Sequence, residues 1–385
     1  MKSTLAIFII LFVTSQGVLF AAGERIEFAV SPSTDNQENP NIYGNIVVWQ
    51  QLISQYEDYD ILAADINNPG EPPFFHWDAT SDQTYPAIFE NYIVWQNLFV
   101  SEDSTDWDIR LADISNPTEP IVYAVTGLAN NDEQNPAIHG NIVVWQDGPT
   151  GQVDKDIYGA DITYPDSPRE FLVSDVNADQ RNPAIYRNTV VWQDSYSGSS
   201  DIYAADVWMQ NKPVEYPIST LEGDQESPQI SGDTIVWMDN SFGNWDIYAA
   251  DISDLDNPVE IPISVSTWEE MHPDIDGNII VWQDNRNGNW DIYAYNMTTR
   301  QEYQITTDTH DQTNPAVSGQ TIVWQDSRNG NTEIYATVLT DLEAAHCTQN
   351  LQGDINGDCK VNIDDFEILV NQWLECNLTP PEACL

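Results

Sequence analysis

Between Asp354 and Asp365 the chain reads "DINGDCKVNIDD". Side-chain oxygens of Asp354, Asn356, Asp358, Asn362 and Asp365 fall at positions 1, 3, 5, 9 and 12 of that stretch, and the Lys360 carbonyl falls at position 7. Oxygen donors at this spacing wrap a hard divalent cation, and Ca2+ is the ion they suit. The residues that follow, "DDFEILVNQWLEC", place Phe366, Leu369, Val370 and Trp373 at i, i+3, i+4 and i+7, the stripe of an amphipathic helix. All four cysteines, Cys347, Cys359, Cys376 and Cys384, share this tail. In an oxidising compartment they pair as two disulfides with three connectivities open, of which Cys347 with Cys359 and Cys376 with Cys384 is the preferred one.

Catalytic chemistry is harder to find. The five histidines, His76, His139, His272, His310 and His346, share no common place in the chain's repeating pattern, so no metal-binding cluster of imidazoles is visible. There is no G-x-S-x-G, no H-E-x-x-H and no phosphate-binding glycine loop. Acid pairs suited to glycoside hydrolysis remain open, because 62 Asp and Glu allow many pairings and only geometry chooses among them.

The elements that must position any site come from one phrase said seven times, as in "NPAIHGNIVVWQD" and "NPAIYRNTVVWQD". Its tryptophans, Trp49, Trp95, Trp145, Trp192, Trp237, Trp282 and Trp324, are 42 to 50 residues apart, the range in which four-stranded propeller blades repeat. Each copy continues into a second phrase such as "SDIYAAD", and six continue into a third β-like run such as "PREFLVS". Consecutive apolar residues in "IVVW" require cover on both faces, which a strand inside a blade between two neighbouring blades receives. The seven tryptophans are therefore expected inside. The last unit lacks a fourth strand, and the segment "ERIEFAVS" after residue 23 supplies one, so Arg25 to Ser31 is expected to pair with Glu333 to Val338 and close the ring.

Within that frame two sets of positions invite function. Four residues before each repeat proline stand Asn36, Asp82, Asp132, Asp179, Asp224, Glu269 and Asp311, a near-complete ring of carboxylates on one face. They either cap neighbouring backbone or hold a cation or polar ligand over the channel mouth. After the proline most units place Ala (Ala87, Ala137, Ala184, Ala316), which suits strands converging on an axis. The polar exceptions Asn41, Gln229 and Asp274 are the expected ligand contacts inside the channel. A second recurring acid opens the strand after each hairpin, as in Asp60, Asp246 and Glu333, and is expected to fix the turn.

Composition bounds the partners. Against 62 acids stand only 12 Lys and Arg, a net charge of −50, which argues against nucleic acid and anionic membranes. A hydrophobic content of 41% is enough to build cores, so the charge does not mean disorder. Residues 1–23, with Lys2, a short apolar run and small residues in "VLFAAG", read as a secretory signal peptide rather than a span. The expected organisation is a signal peptide at 1–23, a propeller at 24–340 and a Cys-rich tail at 341–385.

The combination of "DQxNP", "IVWQD" and "NGNWDIYAAD" resembles TolB-type propeller repeats and the related repeats of bacterial and archaeal surface proteins, over about residues 24 to 340. The resemblance implies an all-β, seven-bladed propeller. Propellers of this kind serve as binding scaffolds, as assembly factors and, less often, as enzymes, among them a polysaccharide lyase with a His-held metal. Loop plus helix in the tail resembles one half of a dockerin, the module that plugs into a cohesin. Dockerins carry two such units where this chain has one, and their loop has Gly where Cys359 stands. Together these imply a secreted, non-catalytic binding or scaffold propeller, extracellular or at the cell surface. Its Ca2+-loaded tail would join a cohesin-like protein partner, and its face would take a carbohydrate or protein ligand. A polysaccharide-active enzyme, lyase or hydrolase, is the alternative.

Overall fold

Alternating turn signals and β-branched runs make every element of the repeat a strand. The computed structural model describes residues 26–77, 81–100, 105–127, 131–150, 154–176, 178–208 and 213–339. It contains seven separate four-stranded antiparallel sheets, and no helix occurs among the described residues. Blade 1 comprises Gln37–Tyr43, Ile46–Ile53, Asp58–Asp65 and Phe75–Trp77, hydrogen-bonded in that order from the axis outward. Blades 2 to 6 repeat the same succession. The expected leader at 1–23 and the expected tail at 341–385, with the Ca2+ ligands, disulfides and helix read there from sequence, lie outside the described residues.

The phrase "IVVW" forms the second strand of each blade, and its two apolar faces serve two interfaces. All seven tryptophans are at most 1% exposed. Each packs against the preceding blade: Trp237 of blade 5 meets Val191, Ile202 and Ala204 of blade 4, and Trp324 of blade 7 meets Val281, Ile292 and Ala294 of blade 6. Trp49 completes the circle against Val323, Ile334 and Ala336 of blade 7. The hydrophobic core is thus seven inter-blade seams, each filled by one fully buried indole, with Trp77 packed beside Trp95 in the seam of blades 1 and 2. In blades 4 to 6 a third-strand tyrosine stacks on that indole at about 6 Å, as Tyr203 does on Trp192.

Blade 7 has inner strands Gln312–Ser318, Thr321–Asp326 and Glu333–Val338, and its fourth strand comes from the other end of the propeller. Phe28–Ala29 pairs antiparallel with it, Phe28 opposite Ala336 and Ala29 opposite Tyr335. The ladder is shorter than the seven residues the sequence suggests, but the N–H of Val30 still reaches the Ile334 carbonyl at 2.8 Å. Thr337 Oγ1 likewise donates to the Ile26 carbonyl at 3.1 Å.

Candidate functional site

The inner strands approach the axis and bound a central channel, and their geometry begins with a bulge. In every blade the register slips around the proline, for example between Glu38 and Asn41 and between Met271 and Asp274. The residue before the proline is thereby turned into the left-handed region, with φ between 47° and 53° at Asn39, Tyr85, Asn135, Asn182, Ser227, His272 and Asn314. Asn tolerates that conformation better than other side chains. It occupies four of the seven positions.

This bulge explains the Gln of "VVWQD". The bulged residue's N–H points back at the preceding blade, where the Gln oxygen accepts it: Gln325 accepts from Asn39, Gln50 from Tyr85, Gln96 from Asn135 and Gln283 from Asn314, all at 2.9 to 3.0 Å. Asn side chains extend the belt, with Asn135 Nδ2 donating to Asn182 Oδ1 at 2.7 Å. Trp, Gln and Asp of the phrase therefore have three different duties. The indole fills a seam, the amide links blades around one channel mouth, and the Asp accepts hairpin N–H groups, as Asp239 does from Ser241 at 2.8 Å. One link is defective, because Met238 stands in the Gln position and offers only its sulfur to the His272 N–H, at 3.2 Å. Met238→Gln is expected to raise stability by about 1 kcal/mol, the worth of a proper amide acceptor, measurable as a shift in the urea midpoint with unchanged slope.

The recurring acids occupy the connections between blades. Asp82 Oδ1 accepts the Tyr59 N–H at 3.1 Å, Asp179 that of Lys155 at 3.2 Å, Asp224 that of Ser200 at 3.0 Å and Asp311 that of Trp290 at 3.0 Å. Each carboxylate so caps the residue entering the third strand of the preceding blade. Asn36 and Glu269 do the same for Thr332 and Trp245. Asp132 faces Lys155 Nζ at 3.9 Å and Thr150 Oγ1 at 3.4 Å. Asp82, Asp132, Asp179, Asp224 and Asp311 line neither half of the channel. The acids opening third strands also serve turns: Asp246 Oδ1 accepts the Ser266 N–H and Glu333 Oε1 that of Ser33, each at 3.1 Å.

Asn41, Gln229 and Asp274, by contrast, line both halves of the channel, at mid-depth with Ala87 and Ala137. Asn41 Oδ1 accepts the Ile88 N–H at 3.2 Å, and Asp274 Oδ2 accepts that of Val317 at 2.8 Å, so both are fixed by the next blade. Burial drives the Asp274 carboxyl up to about 7. The bulged residues border one half, a cavity of about 540 Å3. The other half, about 640 Å3, opens where the inner strands end, at Tyr43, Phe89, His139, Tyr186, Ser231, Asp276 and Ser318.

That second mouth was not foreseen from sequence. Four of its seven residues are rings in contact around one side: Tyr43 with Phe89 at 4.7 Å between centroids, Phe89 with His139 at 4.2 Å and His139 with Tyr186 at 4.6 Å. The other three are Ser231, Asp276 and Ser318, of which Asp276 accepts the Gly319 N–H at 2.6 Å and Ser318 that of Gly44 at 3.0 Å. The available signal was the variable residue two places after the Ala position, one per blade. Of the other histidines, His76 pairs with Asp60 and His310 with Asp308, both at 2.7 Å and away from the channel. Among the described residues no group of three or more His, Cys, Asp and Glu is placed to hold a metal ion. His346 lies outside them.

No protein-family model matches the chain, and no curated protein matches it by sequence. Solved structures do match in fold. A puromycin-hydrolyzing peptidase of Mycobacterium tuberculosis aligns at a TM-score of 0.60 and 11% identity, over 82% of this chain and 55% of that one. TolB from Acinetobacter baumannii aligns at 0.46 and 15%, over 67% and 62%. An oligogalacturonate lyase from Vibrio parahaemolyticus aligns at 0.56 and 12%, over 82% and 93%. The chain spans a little over half the length of the peptidase and of TolB. What is shared at such identity is the propeller fold.

Proposed function

We propose that this chain is a secreted, non-catalytic binding propeller that takes a ligand into its central channel and is held in an extracellular or cell-surface complex by its tail. The observation that carries this reading is the distribution of departures from sevenfold regularity. Seams, caps and hairpins repeat from blade to blade, whereas the channel wall changes, with Asn41, Gln229 and Asp274 replacing Ala at mid-depth. A regular frame that varies along a concave, partly polar channel wall is suited to binding. The tail would add a Ca2+ site at Asp354, Asn356, Asp358, Lys360, Asn362 and Asp365 and a protein partner of the cohesin type. Calorimetric titration of the full chain with Ca2+ should show one site, and the double variant Asp354→Ala/Asp358→Ala should weaken it at least tenfold. Unchanged binding in that variant would remove the tail from the proposal.

One observation favours the second reading, a polysaccharide-active enzyme. An acid that titrates near 7 inside a cavity, as burial makes Asp274 do, is suited to proton transfer, and an oligogalacturonate lyase shares the fold. Purified chain incubated with plant and bacterial polysaccharides decides the matter. Reducing ends released by the wild type and lost in Asp274→Asn would establish the enzyme, and no release with retained binding supports the scaffold.

A further inference from the structure

The half of the channel that ends at Tyr43 and Tyr186 has two unlike walls. On one side lie the rings of Tyr43, Phe89, His139 and Tyr186, backed at mid-depth by the methyl groups of Ala87 and Ala137. Facing them are Gln229, Asp274 and Asp276. Asp274 and Asp276 are two residues apart on one strand, so both point to the same face about 7 Å apart. The walls differ in charge as well as polarity. Burial, and after it the Arg187 guanidinium, lowers His139 to about 4, so its imidazole is neutral near neutral pH and the stretch Tyr43, Phe89, His139 carries no charge of its own. Arg187 itself lies over the Tyr186 ring at 5.5 Å, at the far end of the arc. At the near end, Glu90 and Asp276 both bear on Tyr43, whose hydroxyl is held above its ordinary value first by burial and then by those two charges.

We propose that this cavity binds a small organic cation, a protonated amine on a compact carbon body, with the ammonium at Asp274 and Asp276 and the body against Tyr43, Phe89 and His139. Asp276, and Asp274 once an adjacent ammonium favours its ionised form, supply charge-assisted hydrogen bonds to that ammonium, and ring faces attract the same charge while covering the carbon body. Uronates and phosphates meet Glu90, Asp274 and Asp276 there, against Arg187, the single cation among the described lining residues, at the far end of the arc. A cavity of about 640 Å3 admits a body of one or two sugar rings. An amino sugar and a polyamine share this chemistry, and the test separates them. The inference rests on the channel being the binding site and adds the class of ligand.

The test uses the full chain and four probes in calorimetry: the glucosamine disaccharide, spermidine, cellobiose and digalacturonate. At least one amine should bind, and the affinity should fall tenfold or more in Asp276→Asn and in Tyr43→Ala. Asp274→Asn is the variant built to fold, since Asn41 at the equivalent position already accepts its neighbour's N–H. It should lose binding while Asp254→Asn, an exposed acid on the outer surface, changes nothing. If cellobiose or digalacturonate binds, is weakened by the channel variants, and neither amine binds, the channel reading stands and the cation is overturned. If the amines bind equally to wild type and to every channel variant, they are held by the acidic surface and the proposal is refuted. If no probe binds, the cation is refuted, and the channel reading then rests on ligands captured from native material and released by the same variants.

Discussion

A variant lacking residues 24–32 should melt about 10 °C or more below the chain that retains them. Those residues hold blade 7 to blade 1, and the reasons are additive. Val30 is 1% exposed and packs among Leu62, Ala64 and Ile66 of blade 1 and Ala336 of blade 7, with Phe28 half-buried beside it. Burial of two such side chains contributes roughly 2 to 3 kcal/mol for Val30 and less for Phe28. Hydrogen bonds from Val30 N–H to Ile334, from Gly70 N–H to the Val30 carbonyl and from Ser31 Oγ to the Glu71 carbonyl join both blades, at about 1 kcal/mol each. Glu27 also accepts from Arg328 Nη2 at 2.6 Å, and that guanidinium covers the Tyr335 ring at 4.4 Å. A total of roughly 6 to 7 kcal/mol lost, in a protein whose midpoint moves about 2 to 4 °C per kcal/mol, gives the expected shift. Removal also exposes the edge of Glu333–Val338, so the variant should aggregate more readily. Scanning calorimetry on both chains measures it, and coincident transitions would show that the ring does not depend on its N-terminal strand.

How much of this was readable beforehand follows from the range over which each feature acts. Seven units of four strands, the buried tryptophans and the spare N-terminal strand all lie within one repeat or at its ends, so apolar pattern and turn chemistry suffice to find them. The duty of Gln50 or Gln325 is different. Its amide matters only because a bulge elsewhere, about 35 residues on, turns one N–H backward across a seam, and φ at the residue before proline is invisible in a string. The carboxylates at Asp82, Asp179, Asp224 and Asp311 recur as a motif, but whether an oxygen meets an N–H or the lumen is decided by the path of the connection. That path runs over the preceding hairpin. The ring contacts of Tyr43, Phe89, His139 and Tyr186 depend on the curvature of the propeller, which brings together residues separated by 46 to 50 positions. Sequence locates where blades differ, and curvature decides which differences face one another.

Replacing Glu133 and Glu270 by Gln should stabilise the protein, and the gain should grow with pH. Five blades place Gln at this position, and Gln37, Gln83, Gln180, Gln225 and Gln312 are all at most 1% exposed. Gln37 shows what the site demands: its Oε1 accepts the Ile334 N–H at 2.9 Å and its Nε2 donates to the Ser31 carbonyl and to Gln51 Oε1. An ionised carboxylate has no donor to offer there, whereas a protonated one has the single O–H that replaces the amide N–H. Burial, and then the charges of Asp147 and Asp108, accordingly push Glu133 up to about 9. Burial chiefly, with Asp284 and Asp246 adding to it, pushes Glu270 to about 8, although Ser266 Oγ donates to it and works the other way. Each folded-state value is raised above the unfolded one near 4.5, so the folded chain holds the extra proton between them. Stability from these groups is complete below about pH 4.5 and is lost as pH rises toward 8 or 9. Gln holds its donor at every pH. The double variant should therefore match the wild type near pH 4.5 and exceed it by several kcal/mol at pH 8. Ordinary surface carboxylates are ionised throughout the interval from pH 6 to 9, so the slope of melting temperature against pH there isolates the groups with raised values. That slope should flatten when both glutamates are replaced, and a slope left unchanged would mean that Glu133 and Glu270 are ionised in the folded protein.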